Sequence, residues 1–369
     1  PGFNGRIGVV NRFDHRTLGG RFAWTWSRRR LRSWRLETVE KGLLPAPALA
    51  PGDSGSLRLP VPSSADTLRI TYIDARGEER MTWSVARSLR TGGDGSRRAD
   101  RSPSRDLSRS RILRKDEGWI LGSDHARASF DASGTLTELR LRGVRVPLTG
   151  GVPLGGNRGD SVSIVSGSEL EIRSDDPDSG SLLHWSMEPS GSLRLRYRLS
   201  PPESGILSGI GFRFPFSGVH RVRWEGQGPH RVWGNRLAGI RFGLWSRRPN
   251  RTSTGRSWRY PELPGYYRGV RTLEIDTDHG TLRLEIRGAP FLQISTPPRR
   301  DDPGHATAPF PAADLSLLHQ ITGIGTKFHP PEALGHDPDP ARPETVKGSL
   351  TLQGVGPPPS PRGNRALDR

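Results

Sequence analysis

Forty-six glycines and thirty-three prolines cut this chain of 369 residues into runs too short for long helices. Within a helix, glycine costs about 1 kcal/mol and proline about 3 relative to alanine. Both suit the turns that join short strands. Between these breaks, apolar and polar side chains alternate, or β-branched and aromatic residues cluster, as strands with one buried face require. No amphipathic helix and no alternation of strands with helices is readable, which argues against a TIM barrel or a nucleotide-binding α/β fold. The expected fold class is all-β.

The runs fall into two blocks. In the first are Arg6 to Val10, Arg21 to Trp26, Ser56 to Val61, Thr67 to Ile73 and Met81 to Val85, with turn chemistry at Ala50 to Gly55 and at Asp74 to Gly77. This spacing predicts an immunoglobulin-like β-sandwich over residues 1–86. Arg87 to Lys115 then carries ten basic residues against Asp94, Asp100 and Asp106, with little apolar content. It reads as a flexible linker over 87–115.

The second block, 116–354, has many more candidate strands, among them Ala126 to Phe130, Leu136 to Leu141, Glu169 to Arg173, Ser192 to Leu199, Gly209 to Phe216, Arg221 to Trp224 and Thr281 to Ile286. Asp131 to Gly134 and Asp276 to Gly280 supply tight turns between neighbours. So many strands favour a large two-sheet sandwich over a small barrel. The tail 355–369, with Pro357-Pro358-Pro359-Ser360-Pro361, is expected to be disordered.

Net charge is +18, which invites a nucleic-acid partner. However, Lys41, Lys115, Lys327 and Lys347 are the only lysines, and an arginine bias beside abundant Gly, Pro and Ala is what a GC-rich genome gives. About +7 of the charge lies in the linker, so a nucleic-acid partner is not expected. No window approaches 18 uncharged apolar residues, so no membrane span is expected. The absence of cysteine excludes disulfides and thiolate metal sites. Opening on Pro1-Gly2-Phe3-Asn4, the chain reads as the inside of a longer protein, and its compartment, cytoplasmic or secreted, is left open.

One stretch stands out for chemistry. Gly226-Gln227-Gly228-Pro229 is followed closely by Trp233, Asn235 and Arg236. No helix follows to make it a phosphate loop. His319 and His329 lack ligand spacing, and no nucleophile elbow is present, so neither a metal nor a cofactor is expected. Trp233, Trp245, Trp258, Tyr260, Tyr266 and Tyr267 crowd one span, interleaved with Arg236, Arg241 and Arg268. They either line a sugar groove as stacking faces or fill the sandwich core.

These phrases carry a family resemblance. Ile7-Gly8-Val9-Val10-Asn11-Arg12-Phe13-Asp14 and Ala46 to Gly52 followed by Leu57-Arg58-Leu59-Pro60 resemble the immunoglobulin-like domain that follows the barrel in glycoside hydrolase family 2, the family of the large bacterial β-galactosidases. Gly226, Gly228 and Pro229 with Trp233, Asn235 and Arg236, then Tyr260 to Arg268 and Gly323 to Pro330, resemble its C-terminal supersandwich, which is galactose-mutarotase-like. The family's Tyr and Asp are replaced by Trp233 and Asn235, and its early Arg-Ala-Pro phrase is missing around Gly150 to Asp160.

The resemblance implies that both catalytic glutamates belong to a barrel outside this chain, so no catalytic residue is expected here, Glu225 and Glu262 included. It offers Phe328, flanked by Lys327 and His329, as the counterpart of an aromatic residue that covers bound sugar; a buried Phe beside a strand-end His is the alternative. Trp233 and Arg236 are further carbohydrate-contact candidates, with Gly226, Gly228, Pro229 and Asn235 as the marker turn. The expected partners are the catalytic barrel domain or subunit and carbohydrate, with self-association left open. The competing readings are a stand-alone carbohydrate-binding or scaffold module and a basic nucleic-acid-binding protein.

Overall fold

The computed structural model describes residues 4–87, 111–115, 118–154, 161–166, 169–173, 181–200, 209–215, 218–248, 265–294, 313–321, 323 and 345–356. All regular structure among them is β-strand. The contacts group into two compact units. The first is Pro1–Arg105 with Arg241–Leu244, and the second is Asp106–Ile240 with Trp245–Arg369.

The first unit contains β1 (Arg6–Val10), β2 (Arg21–Arg30), β3 (Arg35–Pro45), β4 (Ser54–Arg58), β5 (Thr67–Ile73) and β6 (Glu79–Ala86). They form a two-stranded sheet, β1-β4, and a four-stranded sheet, β3-β2-β5-β6. Period-2 alternation sends Phe22, Trp24 and Trp26 of β2 and Leu68, Ile70 and Tyr72 of β5 to one face, where Leu57 and Leu59 join them in a common core. Trp26 Nε1 donates to the Pro60 carbonyl at 2.7 Å, satisfying the polar atom of a buried ring.

Two sequence signals in this unit have local explanations. Asn11 is buried, and its Nδ2 donates to the carbonyls of Arg16 and Leu49 while its Oδ1 accepts from the Phe13 amide. One side chain thereby ties two loops together. Asp74 closes the β5–β6 hairpin by accepting from the amides of Arg76 and Glu78, and Arg80 Nε donates to it at 2.6 Å. The Arg80 hydrogen bond leads the forces that hold the Asp74 carboxyl below its ordinary range.

The second unit opens with β7 (Arg111–Lys115), β8 (Gly118–Ser123), β9 (Ala126–Phe130), β10 (Leu136–Leu141), β11 (Val144–Val146) and β12 (Thr149–Leu154). It continues with β13 (Ser161–Ser166), β14 (Glu169–Arg173), β15 (Leu182–Met187), β16 (Leu193–Leu199), β17 (Gly209–Arg213) and β18 (Val219–Val232). The last six are β19 (Arg241–Arg247, of which Arg241–Leu244 group with the first unit), β20 (Tyr266–Thr277), β21 (Gly280–Arg287), β22 (Phe291–Ile294), β23 (Leu315–Leu318) and β24 (Val346–Val355). β7 lies inside the predicted linker; Ile112 packs on the core, and pairing with β8 makes a strand of an Arg-rich run. The rest of that linker, 88–110, and most of the predicted tail lie outside the described residues.

All pairings are antiparallel and build one large curled sheet. One limb runs β7-β8-β9-β10-β12-β17-β23-β22. The other runs β21-β24-β16-β15-β14-β13. Both limbs meet at β20, which pairs with β22 near its start and β21 near its end, and with β18 along its other edge. The limbs enclose a single core in which Phe130 of one limb and Trp185 of the other stand 5.3 Å apart. Leu121, Leu139, Trp185, Phe212, Trp224, Leu284 and Leu350 there are wholly inaccessible to solvent.

Candidate functional site

The Gly-x-Gly-Pro phrase lies inside β18, not at a turn as its composition predicts. The strand stays paired with β20 across it, with register shifts on either side of Gln227 and a cis Gly228–Pro229 bond. The glycines answer to space. A Cβ on Gly226 would stand 2.9 Å from Val270 Cα, and one on Gly228 2.8 Å from Trp245 Nε1. Trp245 Nε1 donates to the Gly226 carbonyl at 3.0 Å and Trp224 Nε1 to that of Gln227 at 3.1 Å, so two indoles grip the bulged backbone.

The turn comes afterwards. Trp233 and Arg236 exchange backbone hydrogen bonds, 3.3 and 2.8 Å, around Gly234-Asn235, a two-residue hairpin connection. Trp233 is buried against Tyr266, ring centroids 5.5 Å apart and edge-to-face. Gly265, at φ +87°, leaves room there; a Cβ would stand 2.5 Å from the Val232 carbonyl oxygen. Asn235 and Arg236 are exposed at the tip.

Val232, Trp233, Tyr266, Leu318 and Ile321 form a cluster of their own. Phe291 packs on it and pairs with Leu318 across β22 and β23, whereas Leu292 and Leu317 enter the main core. The Trp233 cluster therefore occupies the outer face of this limb. On the same face Gln293 stands opposite Ser316. Both are buried, and the Gln293 amide and Ser316 hydroxyl make no hydrogen bond among the described residues. Leaving buried polar groups unsatisfied costs about 1–3 kcal/mol each.

Farther along this face on β18, β20 and β21, the buried carboxylates are matched. Glu225 accepts from Thr272 Oγ1 at 3.2 Å. Glu274 takes Arg283 Nε at 2.8 Å and Arg223 at 3.0 Å, and Asp276 takes Arg223 at 2.8 Å and Thr281 Oγ1 at 2.7 Å. Glu225 is thus a buried, hydrogen-bonded acid. Sequence reasoning missed the network because its members come from three strands and share a face only through register.

Of the other candidates, Trp245 is half-buried, while Tyr266 and Tyr267 are buried, Tyr267 beside Trp224 at 4.7 Å. These described aromatic residues fill cores more than they line a groove. His319 meets Tyr197 Oη at 3.0 Å, and burial pushes its imidazole down to about 4. Lys327, Phe328, His329, Trp258, Tyr260 and Glu262 lie outside the described residues. Gly323, which starts the phrase containing Phe328, does not. A Cβ on it would stand 3.2 Å from Asn235 Cγ, so the chain enters that phrase against the Trp233–Arg236 turn.

No protein-family model matches this chain, and no curated protein is significantly similar to it.

Proposed function

We infer that this chain is the non-catalytic C-terminal portion of a β-galactosidase-like glycoside hydrolase, with an immunoglobulin-like sandwich followed by a mutarotase-like supersandwich. Its part is architectural. It completes the wall of a substrate pocket whose acid and nucleophile stand on a separate barrel, and it offers that barrel a contact surface.

The observation that carries this reading is the meeting of Asn235 with Gly323. Two phrases that resemble the same family, far apart in sequence, come together in space, and the second leads directly to Lys327, Phe328 and His329. The paired state of Glu225, Glu274 and Asp276 supports the non-catalytic part of the reading. A retaining glycosidase keeps two carboxyl groups about 5–5.5 Å apart at its substrate; these three are buried and engaged by Thr272, Arg223, Arg283 and Thr281.

The test is an assay of the isolated chain on aryl β-galactosides and β-glucosides, alone and after mixing with a barrel-bearing fragment of a family 2 enzyme. No turnover is expected from the chain alone. Turnover by the chain alone that disappears in Glu225→Gln would sink the reading.

A further inference from the structure

The two sheets of the first unit are unequal, and the inequality leaves an opening. In β5, Leu68, Ile70 and Tyr72 face the core; their cross-strand partners on β6 are Val85, Trp83 and Met81. Those three therefore sit on the inner face of the four-stranded sheet, where a sandwich buries its side chains. Yet Met81 is 55% exposed, Trp83 48% and Val85 52%. The two-stranded sheet does not reach far enough to cover them. Between β1 and β6 lies a groove of about 940 Å³.

β1 offers a free edge beside this groove. The Asn11 amide donates to the Asp53 carbonyl, and the Leu59 amide to that of Gly5, so the odd-numbered residues of β1 spend their backbone groups on β4. In an antiparallel ladder the intervening residues point their N–H and C=O groups the other way. Arg6, Gly8 and Val10 thus turn their backbone groups away from β4; the Arg6 amide is taken by Asn4 Oδ1 at 3.1 Å, and Gly8 and Val10 present the open part of the row. β6 is engaged on its other face, where Ser84 Oγ donates to the Phe242 carbonyl at 2.8 Å.

We propose that this groove binds an extended segment of another polypeptide, acidic and apolar in alternation, which adds as a third strand on β1 and seats its apolar side chains on Met81, Trp83 and Val85. Strand addition of this kind draws affinity from the backbone ladder and specificity from the pockets for alternate side chains. The acidic character follows from the lining. Its charged residues are Arg6, Arg12 and Arg80, with no carboxylate among them; Arg80 is already paired with Asp74 and Glu78, so Arg6 and Arg12 supply the attraction. The same charge weighs against a second copy as the occupant, since each chain carries +18. The inference stands apart from the glycosidase reading.

The experiment titrates the full chain into fluorescein-labelled peptides of roughly seven residues, about one strand length, and follows anisotropy. One peptide alternates valine and isoleucine with glutamate and aspartate. A second has the same composition with its apolar residues in one block, and a third carries lysine in place of the acids. Saturable binding of the first is expected, at least about tenfold tighter than either control and weakened by salt.

Trp83→Glu should abolish that binding. Gly8→Pro, at an exposed position where added atoms meet nothing, removes one outward N–H and should weaken it about tenfold or more. Circular dichroism confirms that each variant is folded. No saturable binding, equal binding of acidic and basic peptides, or binding unchanged in both variants overturns the proposal. So does a stable dimer of the chain that Trp83→Glu dissociates, because the groove is then the chain's own interface.

Discussion

The two units use the same local chemistry and reach different degrees of closure. In each, short alternating strands send aromatic and branched side chains to one face. In the second unit the limbs that meet at β20 cover that face on both sides, and Trp185, Trp224 and Phe212 are wholly buried. In the first, six strands divide four against two, and the edge of the larger sheet leaves Met81, Trp83 and Val85 half in water. Alternation therefore decides which face of a strand is apolar. Strand number and sheet width decide whether anything covers it.

The difference in closure should show most in a pair of tryptophan deletions read by hydrogen exchange in each unit separately. Trp185→Ala should cost the second unit about 3–5 kcal/mol, the range for emptying a large aromatic site. Trp83→Ser should change the stability of the first unit by no more than about 0.5 kcal/mol, as surface substitutions do. Comparable losses would show that Trp83 is covered in solution.

A smaller effect is expected at Gly265, where φ is +87° and a Cβ would run into the Val232 carbonyl. Gly265→Ala should cost about 1–3 kcal/mol through strain and displaced packing, confined to the second unit.

The smallest expected effect is a difference in acid response. His319 titrates near 4 when folded and near 6.5 when unfolded, so between those values the unfolded chain binds more protons. Its stabilising contribution is complete above pH 6.5 and declines as pH falls toward 4. Asp74 in the first unit has a lowered folded pKa, so its contribution is complete above its ordinary 3.8 and is lost only below that. Mild acid should therefore loosen the second unit before the first, and His319→Gln should narrow the gap. Exchange rates measured across pH 4–7 test both statements.

Much of this fold is legible in the sequence where one face is apolar and the other polar. Thr67 to Ile73, Ala126 to Phe130, Leu136 to Leu141 and Glu169 to Arg173 coincide with strands from end to end. β3 escaped notice because Arg35 to Lys41 is exposed on both faces and carries no alternation to read. β7 escaped because arginine surrounds its two apolar residues. The end of β18 departs from expectation for a different reason. Gly226, Gly228 and Pro229 have the composition of a turn, while their requirement is close approach to Val270 and Trp245, which the sequence cannot show as neighbours. The same limit applies to the site. Trp233 and Arg236 could be picked out by eye, but the meeting of Asn235 with Gly323 and of Gln293 with Ser316 exists only through register and packing.

The position of β24 has a consequence for synthesis. This strand lies between β16 and β21, aligning Leu193 with Leu352 and Leu284 with the same Leu352. A chain emerging from the ribosome makes β16 long before it makes the neighbour that β16 needs. Until Val346–Val355 arrives, two strand edges stand open to any other chain nearby. The first unit, whose sheets pair strands from within its first hundred residues, has no such wait. A nascent chain stalled shortly before Val346 would thus carry one finished sandwich and one unclosed sheet, and folding of the second unit would be timed by the last strand made.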